Sequence, residues 1–86
     1  MLIRINLYMD IAKKLKWSKK DVHLDKETIT VRDVLESLED LRELVLSNPD
    51  DYMILINGIN MRLLKGLDTV LPDGAVIDVF PPAGGG

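Results

Sequence analysis

Leu71-Pro72-Asp73-Gly74-Ala75-Val76-Ile77-Asp78-Val79-Phe80-Pro81-Pro82-Ala83-Gly84-Gly85-Gly86 holds a turn, a strand and a stop in succession. Pro72-Asp73-Gly74 is the turn: proline presets φ and glycine accepts the left-handed conformation that closes it. Ala75 to Phe80 reads as a strand, and Pro81-Pro82 ends it, because residues without an N–H cannot continue a ladder. Paired prolines favour the extended polyproline conformation and aim the chain out of the domain. Beyond them stand Ala83, Gly84, Gly85 and Gly86, a thread almost without side chains. Such a thread enters a channel that any larger residue would block. Six extended residues reach roughly 20 Å, and the reactive group at the tip is the α-carboxylate of Gly86. These residues describe a carrier whose terminal carboxylate is activated inside another protein. A glycine-rich end that merely frays has the same composition, so on these residues alone a functional and an inert tail both stay open.

Working back from the tail, Tyr52 to Asn57 is a strand apolar on both faces, ended by a turn at Gly58. Ile59 to Leu64 suggests a short returning strand, and Leu67 to Leu71 a brief 3₁₀ or loop segment. Before them lies the clearest helix, expected over about residues 31 to 46. Thr30 caps it, Asp33 completes a capping box, and Ile29 and Val34 have the spacing of a hydrophobic staple. Val31, Val34, Leu35, Leu38, Leu41 and Val45 follow the helical period and form its core face, and Asn48-Pro49 stops it. At the front of the chain Ile3, Ile5 and Leu7 alternate with Arg4 and Asn6, the period of a half-buried strand. Asp10 to Trp17 switches to helical spacing, Ser18 to Asp21 is a polar break, and Val22 and Leu24 suggest a short partner strand. The order β-α-β-α-β-β-β is an α+β plan, with one main helix packed on a mixed sheet. The expected division is a domain over residues 1–80 and a flexible tail over 81–86.

Composition narrows the function. The chain has 86 residues, enough for one small core. A formal charge of -3 argues against nucleic-acid binding, which normally shows a basic stripe. No apolar run approaches the roughly 20 residues of a membrane span, and the first residues show no signal-peptide pattern. The absence of cysteine excludes disulfides, Cys-ligated metal and a catalytic thiol. The cytoplasm is the expected location. His23, the single histidine, reads as a solvated strand residue, and the acids are spread as a solvated face. Lys65-Gly66 lacks the spacing of a phosphate loop. No nucleophile, base and oxyanion hole assemble on this chain, so it is not expected to be catalytic alone.

The ending quoted above resembles that of the ubiquitin-like sulfur carriers, in particular the MoaD-type small subunit of molybdopterin synthase. Members end in a hydrophobic strand, Pro-Pro, two small residues and Gly-Gly. The likeness is strongest over residues 52 to 86, and Ile56-Asn57-Gly58 also fits. Two positions depart from the pattern: Ala75 stands where an acid usually follows Asp-Gly, and Gly84 replaces the usual Ser, Thr or Ala. The resemblance implies a ubiquitin-like β-grasp fold and a two-stage cycle at Gly86, with Gly85 supplying clearance. An E1-like enzyme, using ATP and magnesium, adenylates the carboxylate, and a persulfide donor then leaves a thiocarboxylate. The tail would next enter the large subunit of molybdopterin synthase and give its sulfur to the pterin precursor. This chain itself would bind no cofactor or metal. Ubiquitin-like modifiers joined to lysines use the same tail, and an inert β-grasp interaction module would share the fold.

Strand alternation places the docking face. With Ile54 and Ile56 toward the helix, Met53 and Leu55 face out; with Ile77 and Val79 in, Val76, Asp78 and Phe80 are outside. An exposed apolar patch of Leu55, Phe80, Val76 and Met53 beside the tail is the expected partner surface. Trp17 and Tyr52 read as ordinary packing.

Overall fold

In the computed structural model, which describes residues 1–82, the alternation at the start of the chain becomes β1 (Leu2–Leu7), with Ile3, Ile5 and Leu7 buried. The next helix, α1 (Asp10–Leu15), ends at Lys16 in the left-handed conformation, φ 66°, short of the expected Trp17. β2 (Lys19–His23) returns antiparallel to β1. It starts earlier than the expected Val22 because Lys19, Lys20 and Asp21 pair with β1; they are exposed, and Val22 is its single buried residue. Charged side chains suit an edge strand, and a strand with one inward residue leaves no periodicity to read.

The main helix begins as expected. Thr30 Oγ1 accepts from the Asp33 N–H at 3.2 Å, and the Asp33 carboxylate accepts from the Thr30 N–H at 2.9 Å. It does not run unbroken to residue 46. α2 (Val31–Ser37) stops at Leu38, which is extended at φ -114° and ψ 120°. α3 (Glu39–Leu41) restarts the helix and passes directly into a π-helical stretch, Arg42–Leu46. Around the break, Ser37 Oγ donates to the Val34 carbonyl at 2.6 Å. The Asp40 carboxylate accepts from the Leu41 N–H and from the Trp17 indole N–H, each at 2.8 Å. Such side-chain bonds compete with the helical ladder. Val31, Val34, Leu35, Leu41 and Val45 are buried as expected, but Leu38 is only partly so.

β3 (Met53–Ile56) and β4 (Ile59–Asn60) are joined by Asn57-Gly58, both at positive φ (49° and 85°), the two-residue hairpin turn that matches strand twist. The strand expected to reach Leu64 is cut short: the Asn60 side chain accepts from the Arg62 N–H at 2.9 Å and opens a 3₁₀ turn, Met61–Leu63. A second 3₁₀ turn, Gly66–Asp68, lies close to the expected loop. β5 (Val76–Phe80) completes a sheet of order β2-β1-β5-β3-β4, in which β1 and β5 are parallel and the other pairs antiparallel. The helices cover one face, and the core lies between them and Ile3, Ile5, Ile54, Ile77 and Val79. This is the expected α+β plan. Among the described residues, no helix is long and apolar enough to cross a membrane.

Candidate functional site

β5 occupies the middle of the sheet, so the two strands beside it determine where the tail leaves. Phe80 lies opposite Met53 of β3. On the other side the Tyr8 N–H donates to the Val79 carbonyl at 3.1 Å, extending the β1 pairing to the end of β5. Pro81 is then half-buried and Pro82 exposed. Ala83, Gly84, Gly85 and Gly86 lie outside the described residues, and with them the chemistry expected at Gly86, the clearance expected at Gly85 and the flexibility expected of the tail.

The outward set agrees with the expected strand register. Ile54, Ile56, Ile77 and Val79 are buried, while Met53, Leu55, Val76, Asp78 and Phe80 point away from the core. The expected exposure does not hold throughout. Met53 is 41% exposed, but Leu55, Val76 and Phe80 are half-buried. Tyr8 stacks on Phe80, with ring centroids 4.2 Å apart and planes 9° from parallel. Asp78 sits directly across from Leu55. Its Oδ1 accepts from the Tyr8 hydroxyl at 2.9 Å and from Asn6 Nδ2 at 3.0 Å. The face is therefore apolar with a hydrogen-bonded carboxylate set in it, rather than one unbroken apolar patch.

Asn6 and Tyr8 are the residues that sequence reading does not bring to this face. The alternation of β1 does send both outward, but only the parallel pairing with β5 sets them beside Asp78 and Phe80. The Tyr8 phenol is held above its ordinary pKa chiefly by its bond to Asp78, then by burial and by the Asp78 charge. Next to it, Met9 is 69% exposed at φ 55° and ψ -130°, a conformation costly for a residue with a Cβ.

Two shallow depressions flank the root of the tail. One, about 310 Å³, lies between Asp50, Asp51, Met53, Arg62 and Pro82; Arg62 closes it by donating to the Asp50 carbonyl at 2.8 Å. The other, about 190 Å³, lies on the α1 side between Ile11, Lys14, Leu44, Pro81 and Pro82. Tyr52 borders both, so it frames the tail as well as packing. Burial, then the Asp51 charge, raises its pKa. Trp17 does pack, with its indole bonded to Asp40 and the Lys20 ammonium 4.4 Å above its ring.

The remaining signals are structural. His23 is largely exposed, 3.6 Å from Asp25. The Lys65 N–H donates to Thr69 Oγ1 at 3.0 Å, and Gly66 takes φ 56° in a turn. Among the described residues, no group of three or more His, Cys, Asp or Glu is placed to hold a metal ion.

No curated protein matches the sequence significantly. Solved structures do. The HVO 2177 protein of Haloferax volcanii is 28% identical at a TM-score of 0.79, covering 100% of this chain and 87% of that one. The small archaeal modifier protein 1 of Methanosarcina acetivorans is 29% identical at 0.75, covering 99% and 96%. Subunit 1 of the molybdopterin-converting factor of Helicobacter pylori, solved in complex with subunit 2, is 22% identical at 0.63 with full coverage of both chains. The fold is the ubiquitin-like β-grasp that the ending implied. The profile of the ThiS family matches residues 7–86, from the last residue of β1 through the glycine tail, and the chain belongs to that family.

Proposed function

We propose that this chain is a sulfur carrier whose Gly86 carboxylate is adenylated and then thiocarboxylated, for delivery of sulfur in building molybdopterin. The observation that carries the proposal is that the family match continues through the terminal glycines, directly after a central strand whose outer face is partly apolar. A carboxylate is a poor electrophile. Its oxygen attacks the α-phosphate of ATP on an E1-like enzyme, releasing pyrophosphate, and AMP then serves as the leaving group. The terminal sulfur of a protein persulfide displaces AMP, and a second thiol takes the donor sulfur as a disulfide, leaving the thiocarboxylate. ATP and magnesium belong to the activating enzyme. The Tyr8–Phe80 stack, Met53 and Leu55 form the surface for that enzyme and for a synthase large subunit. The Helicobacter protein, solved with its second subunit, supports a partner of the latter kind.

Incubation with the cognate activating enzyme, ATP and a sulfur donor, followed by intact mass, is the test. The wild-type chain exchanges one oxygen for sulfur. Deleting Gly86 retracts the carboxylate by about 3.5 Å and slows the exchange on the order of 100-fold or more. A chain extended by one residue and thiolated at the wild-type rate, without trimming, refutes the mechanism.

A second reading, a modifier joined to lysines, is favoured by the 29% identity to the Methanosarcina modifier. Mass spectrometry of the protein from its own host separates the two: branched peptides on other proteins support the modifier, and free thiocarboxylate the carrier.

A further inference from the structure

On the reading proposed above, in which the outer face docks the activating enzyme, we infer that Asp78 selects that partner: its carboxylate requires a cationic side chain, of arginine type, set in an otherwise apolar surface. Only one of its two oxygens is engaged within the chain. Oδ1 accepts from the Tyr8 hydroxyl at 2.9 Å and from Asn6 Nδ2 at 3.0 Å. Among the described residues Oδ2 accepts from no group, and it is not sealed from solvent. Nor does Asp78 make an ion pair among them. The cations that β1 and β2 turn outward do not supply one. Arg4 is paired with Asp21 at 2.9 Å, and His23 stands beside Asp25. Lys19 lies across from Asn6, two strands away from Asp78. On the other side Leu55 faces Asp78 directly, and Met53 faces Phe80 along the same two strands. Asp78 is thus an open charge, held by two donors, in a mostly apolar surface.

A partner laid over Met53, Leu55 and Phe80 must also cover Asp78, which sits among them. Water then leaves Oδ2, and a carboxylate buried without a counter-ion is heavily penalised. A surface that is apolar throughout is rejected for that reason, and one that offers a cation at this point is accepted. Discrimination comes from the penalty as much as from the contact. A guanidinium suits the position better than an ammonium, because it is more weakly hydrated and loses less on leaving water. Two donors on Oδ1 keep the carboxylate in one geometry before the partner arrives, so little side-chain freedom is lost on pairing.

The test measures association and dissociation rates of the full chain with the cognate activating enzyme, at about 0.05 and 0.5 M salt. Asp78→Asn keeps the shape and an acceptor for Tyr8 and Asn6 but removes the charge. It should weaken binding about 30-fold or more, chiefly through faster dissociation and at both salt concentrations. A second variant covers any loss of folding. The chain has no cysteine, so Asp78→Cys can be alkylated at that position alone, with iodoacetate to restore a carboxylate or with iodoacetamide to leave a neutral amide. The carboxylate form should bind at least about tenfold tighter than the amide form. Equal binding by Asp78→Asn and wild type, or by the two alkylated forms, overturns the inference. So does a loss confined to association and erased by salt, which marks a charge at the rim. Self-association of the free chain that Asp78→Asn abolishes gives the face to a second copy and overturns it as well. Pyrophosphate release by wild type with the enzyme and ATP reports on the carrier reading itself. Its absence overturns that reading and the pairing with it, whereas release with an unaffected Asp78→Asn overturns the pairing alone.

Discussion

Asp78 governs the outer face, since it accepts from both Asn6 and Tyr8 there. The Tyr8 bond has a pH signature. Because the folded-state pKa of Tyr8 is raised, its contribution is complete below the ordinary tyrosine value and is lost as pH rises through the folded one. Tyr8→Phe keeps the stack on Phe80 and removes the hydroxyl. Denaturant titrations between about pH 8 and 11 should therefore show a smaller alkaline loss of stability in the variant than in wild type. Near neutrality the variant should be weaker by about 1 kcal/mol. Leu55, directly across from Asp78, is the cleanest probe of the docking face. A glutamate there would oppose a carboxylate, and like charges across a pair destabilise, so Leu55→Arg is preferable. It should leave the melting temperature nearly unchanged while weakening binding to the activating enzyme; collapse of the fold would remove Leu55 from the outer face.

Among the elements, the helical segment after Thr30 shows what a sequence does and does not reveal. Its start was legible because a capping box is a local pattern, and both of its hydrogen bonds form. Thr30→Ala should cost about 1 kcal/mol. The bond from the Thr30 N–H holds the Asp33 carboxyl below the ordinary carboxylate range. The stability it contributes is therefore present above the ordinary value and lost as pH falls through the depressed one, a loss that Asp33→Asn should abolish in acid titrations. The break at Leu38 was not legible, because the helical spacing continues through it, and the bond of Asp40 to Trp17 beside it joins distant stretches of the chain. Leu38 keeps the helical spacing yet is only half-buried, so Leu38→Ala should cost about 1–2 kcal/mol, whereas Leu35→Ala, fully buried, should cost about 2–5. Equal losses in a urea titration would contradict the break. The start of β2 at Lys19, ahead of the expected Val22, was hidden for a related reason: with Val22 alone turned inward, those residues become a strand through pairing with β1 and not through their own pattern.

Over the whole molecule, the parallel pairing of the first and last strands brings Tyr8 to Phe80 and could not be read from either strand alone. The alternation of each strand did give the right inward residues, so the outer face was legible as a set of residues before its neighbours were known. Because β1 lies between β2 and β5, removing residues 2–7 takes the bridge out of the sheet. Such a truncation should lose cooperative unfolding and the slow amide exchange of β5, whereas wild type retains both.

That same pairing has a mechanical consequence. β1 enters the sheet at one end and β5 leaves at the other, and β5 is bonded along both edges, to β1 and to β3. A tug on Pro82 along the strand axis, as when a threaded tail is withdrawn, loads these hydrogen bonds in shear. They must yield together rather than break in sequence as at a peeled edge. Drawn between its two ends, the chain should resist force well beyond what its modest size suggests, while a pull across β2 should unzip it at far lower load.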